Sequence, residues 1–203
     1  MALVSFIASF KGARDYIQGP DIFDGMNASL IRDFNMLDVT DIKFAIHRVV
    51  RSGLSLVLSG KQQESAAQSG AAATLAFRSA GRAWGLSAFE DSAPVTERRP
   101  YDEEPIRSIG VFDPERSALR IERRLPYSDI ELWVAQNKLL LERKFPERAG
   151  KWWFVQGEFG AYSLNSDYEV VELRLLHNFN FRLTKSEVTV NGVSRGFIYF
   201  SMT

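Results

Sequence analysis

One motif occurs twice in this chain, and it constrains the fold more than any other feature. A helix-like run is followed by strand-like runs and a closing pair of strands, and the pattern returns after residue 100. The first closing segment is Ala72–Phe89, AATLAFRSAGRAWGLSAF; the second is Ser186–Met202, SEVTVNGVSRGFIYFSM. Each reads as strand, glycine turn, strand. In the second, Asn191-Gly192 is the strongest hairpin signal in the chain, because both residues accept positive φ. Such a repeat speaks to the fold and says nothing about chemistry.

The first half places Val4, Phe6 and Ala8 on one face of an opening strand over residues 2–10. That apolar run is short and alternating, without a positive segment before it or a small-residue cleavage site after it, so no signal peptide is expected. Pro20 opens a helix, where its missing N–H is no loss. Asp21 and Asp24 fall in the first turn, and Ile22, Met26, Leu30 and Phe34 form an apolar stripe widened by Phe23 and Ile31. Ile42–Val50 and Leu54–Leu58 read as a hairpin through Arg51-Ser52-Gly53, and Lys61–Gly70 reads as a polar loop. The closing hairpin turns near Ala80-Gly81.

Residues 90–105, EDSAPVTERRPYDEEP, are charged and proline-rich and have little to bury. The expected division is therefore a first unit over 1–90, a linker over 91–105 and a second unit over 106–203. In the second unit, Ile106–Phe112 and Leu119–Ile121 read as a hairpin around Asp113-Pro114. Ser128 and Glu131 form a capping box. The helix behind it carries Ile130, Trp133, Val134, Asn137, Leu140, Leu141 and Lys144 on one face and stops at Pro146. Trp152–Tyr162 and Tyr168–Leu183 are strand-like. A long apolar helix beside antiparallel strands must be covered by them. The expected class is α+β, with antiparallel sheets each wrapping one long helix in two similar halves.

Composition removes whole classes of function. Lys plus Arg equals Asp plus Glu, 25 each, so neither nucleic acid nor a membrane is expected as partner. Cysteine is absent, which excludes thiolate catalysis and cysteine metal sites. The two histidines, His47 and His177, cannot make a histidine-rich metal centre within one chain. No apolar run approaches the roughly 20 residues of a membrane helix, and a cytoplasmic location is the default expectation. The phosphate-loop, dinucleotide, nucleophile-elbow and zinc-protease motifs do not occur. Nothing calls for a cofactor or a metal.

The order of elements resembles the hotdog superfamily of thioesterases and dehydratases, in which a curved antiparallel sheet wraps one long helix and some chains carry two units in tandem. Three segments carry the likeness: EVTVNGVSRGFIYF over Glu187–Phe200 is similar to a terminal hotdog hairpin, DIKFAIHRVVRSGLSLVL over Asp41–Leu58 to the strands after the central helix, and DYIQGPDIFDGM over Asp15–Met26 to the loop leading into it. No histidine lies near either helix start, so the histidine of the dehydratases is missing. The resemblance implies an acyl thioester or another apolar small molecule as partner. It also implies a carboxylate near the first helix N-terminus, Asp15 or Asp21, as catalytic group, activating water or attacking the thioester carbonyl.

The same residues have plainer uses. Asp21 and Asp24 suit a helix dipole, and Asp15 suits a solvated loop. His47 and His177 lack a positioned partner. The aromatic strands around Trp152, Trp153, Phe154, Phe159 and Tyr162, and around Phe197, Tyr199 and Phe200, could line a ligand tunnel, but aromatics dominate strand burial and leave room for a homo-oligomer. The pairs Arg98-Arg99 and Arg123-Arg124 could hold a phosphate, yet interspersed glutamates make them a neutral surface. The expected function is a non-catalytic binding or assembly protein on a hotdog-like scaffold. The alternative is an acyl-thioester hydrolase using Asp15 or Asp21.

Overall fold

The structure is a computed structural model of the 203-residue chain and describes residues 3–6, 8–60, 70–161 and 166–203. Most of the expected Lys61–Gly70 loop, Tyr162 and parts of the opening strand lie outside the described residues. The chain divides into two compact units. One is built from the chain up to Tyr101 and the other from Asp102 onward, except that Gly160 and Ala161 go with the first.

The first unit contains β1 (Leu3–Phe6), β2 (Phe10–Lys11), α1 (Gly19–Arg32), β3 (Thr40–Ile46), β4 (Ser52–Gly60), β5 (Ala73–Ser79), β6 (Arg82–Pro94) and β7 (Arg98–Arg99). Its antiparallel sheet runs in the order β1-β4-β6-β5-β3, and β2 pairs separately with β7. Pro20 sits in the first turn of α1, as the sequence predicts, with Asp21 behind it. Ile22, Phe23, Met26 and Leu30 are buried. The helix ends sooner than the apolar stripe suggests. Asn35 takes a left-handed φ of 52°, Phe34 N–H bonds to Ser29 O and Met36 N–H to Leu30 O. Phe34 is therefore off the helix, and Ile31 is 45% exposed instead of widening the buried face.

The expected Ile42–Leu58 hairpin does not form. β3 pairs with β5, and β4 pairs with β1 and β6. The backbone between the two strands is held elsewhere: Val50 O accepts from Ile17 N–H, and Glu90 Oε1 accepts from the N–H of Arg51 and Ser52 at 2.6 and 3.0 Å. Alternation fixes which face a strand buries but not which strand it pairs with. The β5–β6 hairpin does turn at Ala80-Gly81, with φ of 49° and 73°, the doubly left-handed turn that matches strand twist. Where the sequence suggests a linker over 91–105, β6 continues to Pro94 and Arg98–Arg99 pairs with Phe10–Lys11.

The second unit contains α2 (Glu104–Ile109), β8 (Val111–Asp113), β9 (Ala118–Ile121), α3 (Asp129–Lys144), β10 (Trp152–Ala161), β11 (Val171–Phe179), β12 (Leu183–Val190) and β13 (Val193–Met202). Its antiparallel sheet runs in the order β10-β13-β12-β11-β9-β8. Residues 106–109, expected as strand, are helical because Pro105 seeds a first turn; only Val111–Asp113 pairs with β9. The turn after Asp113 is closed by its Oδ1, which accepts from the N–H of Glu115 and Arg116 at 3.0 Å each. β12 and β13 join at Asn191-Gly192, with φ of 49° and 78°.

The capping expected for α3 is present: Ser128 Oγ accepts from Glu131 N–H at 3.3 Å. Ile130, Leu132, Trp133, Leu139, Leu140 and Leu141 are buried along it. Trp133 packs on Phe159 at 5.5 Å between ring centroids, and Phe145, at the helix end, packs on Phe181 at 5.0 Å. Gly196 lets β13 close on β10: a Cβ there would stand 1.9 Å from Glu158 O. The architecture is α+β, with an antiparallel sheet and one long helix in each unit.

Candidate active site

The two carboxylates expected from the sequence have separate partners. Asp15 is 78% exposed and lies 3.6 Å from Arg51. Asp21, in the first turn of α1, is ion-paired with Lys11 at 2.6 Å, and the Lys11 ammonium also lies over the Tyr101 ring. That pairing ties α1 to β2. His47 is exposed, with Nε2 3.0 Å from Thr74 Oγ1, and His177 is exposed beside Phe179. Neither histidine faces a carboxylate in a described contact.

One arginine of each basic pair is also engaged. Arg98 donates to the carbonyl oxygens of Gly12 and Arg14 and stacks on Phe10. Arg124 donates to Ser166 O and lies over the Tyr168 ring. Trp152, Phe154, Phe159 and Phe200 are buried, with Phe154 and Phe200 5.8 Å apart, so these aromatics are core. The Tyr199 hydroxyl donates to Glu158 Oε2 at 2.9 Å, and burial together with that carboxylate pushes its pKa up to about 12. It stays protonated at neutral pH.

The one buried carboxylate among the described residues is Asp129, 2% exposed, at the first position of α3. Burying an ionised carboxylate is costly unless hydrogen bonds or charges compensate. Both of its oxygens accept from Ser166 N–H, at 3.1 and 3.0 Å. The helix N-terminus adds favourable potential. Close by, Tyr168 Oη accepts from Leu125 N–H at 3.0 Å. The Tyr168 pKa is raised, mainly by burial, and the Asp129 charge pushes the same way. Asp129 was within reach of sequence reasoning: it stands in i, i+4 register with Trp133 and Asn137, on the face that the apolar pattern buries. The capping signal of Ser128 and Glu131 draws attention past it.

A second feature of α3 has no counterpart in its apolar pattern. Gln136 and Asn137 are fully buried, as is Ser186 on β12. Gln136 Nε2 donates to Leu119 O and Val171 O, but Gln136 Oε1, both amide atoms of Asn137 and Ser186 Oγ have no partner among the described residues. The sequence-based expectation that a buried Asn137 would find a partner is not met. Each such atom costs on the order of 1–3 kcal/mol. Elsewhere on this unit, a shallow depression of about 400 Å³ involves Arg120 and Glu172, which pair with Glu122 and Arg116. Among the described residues no group of three or more metal-ligating side chains comes together. No helix among them is long and apolar enough to cross a membrane.

No family model matches the chain, and no curated protein matches it by sequence. Solved structures do match by shape. The dehydratase domain of PpsC from Mycobacterium tuberculosis, solved in complex with C12:1-CoA, superposes with a TM-score of 0.55 at 11% identity, over 93% of this chain and 85% of that one. The tesB protein of Mycobacterium avium subspecies paratuberculosis gives 0.54 at 12% identity, over 98% and 93%. A protein of Novosphingobium aromaticivorans named as a thioesterase gives 0.50 at 11%, over 98% and 93%. At such identities the likeness speaks for the fold alone, and it agrees with the sheets and central helices described above: this chain is a hotdog-fold protein.

Proposed function

We propose that this chain acts on acyl thioesters and hydrolyses them, with Asp129 as the working carboxylate. The observation that carries the reading is the burial of Asp129 at the start of the core helix of a hotdog unit. A structural neighbour bound to an acyl-coenzyme A supports the substrate class. Asp15 and Asp21, the carboxylates expected from the resemblance, are less suited. A solvated carboxylate gains little over bulk water as a base, and Asp21 is held by Lys11.

In this reading Asp129 takes a proton from a water whose oxygen adds to the thioester carbonyl carbon. The carbonyl π electrons move to oxygen, and the N-terminal end of α3 favours that negative charge. The oxyanion then re-forms the carbonyl, the carbon–sulfur bond breaks, and the proton on Asp129 passes to the departing thiolate. The products are a carboxylic acid and a thiol.

One observation favours the other reading, a binding protein without chemistry. Both Asp129 oxygens are already engaged by Ser166 N–H, which leaves fewer of their lone pairs free to hold a water. Hydrolysis of a panel of acyl-coenzyme A esters separates the two. The hydrolase reading expects turnover that falls by about 100-fold or more in Asp129→Asn, with Asp15→Asn unchanged. Absence of wild-type turnover at every chain length would leave the binding protein.

A further inference from the structure

Three fully buried side chains of the second unit, Gln136, Asn137 and Ser186, carry polar atoms without a partner among the described residues. Two contacts fix how α3 runs along β12. Trp133 meets Phe159, which stands opposite Gly196, itself opposite Val188. Phe145 meets Phe181, just ahead of the first residue of β12. The helix therefore advances along β12 from Val188 toward Leu183. Asn137 lies four residues beyond Trp133, about 6 Å along the axis. Ser186 lies two residues beyond Val188 in the same direction, about 6.6 Å. Both side chains are buried, and the two advances place them at a similar level of the core. Gln136 is one row back, bonded to Leu119 O, and Leu119 pairs with Leu173 and through it with Val188.

The chemistry of the cluster selects its ligand. Asn137 offers N–H donors and a carbonyl acceptor, Gln136 a carbonyl acceptor, and Ser186 a hydroxyl that does both. None carries formal charge. An anion would face the two carbonyl oxygens, and a cation would face the amide N–H groups. A neutral group that donates and accepts at once, a hydroxyl, satisfies the set. The neighbouring positions are apolar and buried: Leu140 and Leu141 on α3, Val188 on β12, and Leu173 and Ile198, which pair with Val188 and Ser186. An apolar lining with one convergent polar point is the usual build of a specificity site. Such a point rejects a ligand that lacks the hydroxyl, because its own groups are then left unpaired.

We propose that this cluster recognises a hydroxyl on the acyl chain of the substrate, and that the substrate class is a hydroxyacyl thioester. This rests on the thioester reading above. From Asp129 to Asn137 the helix rises about 12 Å. The hydroxyl is therefore remote from the thioester and does not sit on the β-carbon.

The test is calorimetric binding to the full-length Asp129→Asn protein, which holds ligand without turnover. The ligands are decanoyl-, ω-hydroxydecanoyl- and β-hydroxydecanoyl-coenzyme A. The ω-hydroxy chain is expected to bind at least about tenfold more tightly than the plain chain, and the β-hydroxy chain no better than the plain one. Adding Asn137→Leu, or the smaller change Ser186→Ala, should bring the ratio toward one while the plain chain still binds. Equal binding of plain and ω-hydroxy chains overturns the proposal, as does a preference that survives both substitutions. In either case the acyl-thioester reading stands. If none of the three ligands binds, that reading fails and this one with it. Should Asn137→Leu fail to fold, Ser186→Ala decides.

Discussion

The two units use the same parts and differ in two respects that matter. Each has one long helix against an antiparallel sheet, and each closes on a hairpin with a left-handed two-residue turn. In the second unit the first hairpin strand, β12, pairs with β11 and the last, β13, with β10; in the first unit β6 takes the place beside β4 and β5 the place beside β3. The turn decides that two strands pair but not which outer neighbour each receives. The helices differ as well. Beside Ile22, Phe23, Met26 and Leu30, α1 buries the polar Asn27 and Ser29, whereas α3 buries a carboxylate, Asp129, and two amides, Gln136 and Asn137, that carry unpartnered atoms. A core that stores a carboxylate and unpaired amides has given up stability, and the proposed hydrolase reading rests on that difference.

The largest effects test whether the two helices are equally central. Leu30→Ala and Leu140→Ala each empty a fully buried site. Each should cost about 2–5 kcal/mol in urea unfolding, from lost transfer energy and a residual cavity. A loss below about 1 kcal/mol at Leu30 would show that α1 lies on the surface, and the comparison of helices would fail.

The next effect separates glycines kept for packing from glycines kept for turns. Gly196→Ala drives a Cβ against Glu158 O, and its own φ is 139°. Gly81→Ala meets nothing within 4 Å and strains only a φ of 73°. Thermal melts should therefore show a far larger loss for Gly196→Ala, with Gly81→Ala near 1 kcal/mol. Equal losses would mean that β13 can draw back from β10 at little cost.

The smallest effect concerns acid stability. Burial opposes ionisation of Glu90, yet the N–H groups of Arg51 and Ser52 hold its pKa below the usual glutamate value. In the second unit the Arg174 hydrogen bond does the same for Glu187. A carboxylate whose folded pKa is depressed contributes stability that is present above the unfolded pKa and lost as pH falls through the folded one. Glu90→Gln and Glu187→Gln should each flatten the acid limb of stability against pH below about 4.3. Glu90 should do so more, since it anchors the backbone entering β4. An unchanged acid limb in both variants would remove these contacts from the account.

Much of this molecule was legible in its sequence, for local reasons. Pro20, the Ser128–Glu131 capping pair and the Asn191-Gly192 turn act within a few residues, so their readings carried through to the structure. The Ile42–Leu58 hairpin did not, because its outcome depends on Glu90 and Ile17, both remote in sequence. Residues 106–109 misled because an apolar alternation too short to specify a period yielded to Pro105. The site was less legible than the fold. Asp15 and Asp21 stand out beside a glycine loop, while Asp129 looks like an ordinary first-turn carboxylate until its burial is known. Asn137 and Ser186 lie far apart in sequence, and only their burial without a partner singles them out.

The claim that chemistry belongs to the second unit comes down to one comparison of carboxylates. Asp129→Asn, Asp15→Asn and Asp21→Asn can be assayed side by side for hydrolysis of acyl-coenzyme A esters, with circular dichroism confirming that each is folded. The account predicts a fall of about 100-fold or more in Asp129→Asn alone, with the other two within about twofold of wild type. Turnover that survives Asp129→Asn and collapses in Asp15→Asn or Asp21→Asn would contradict it and place the chemistry at the start of α1.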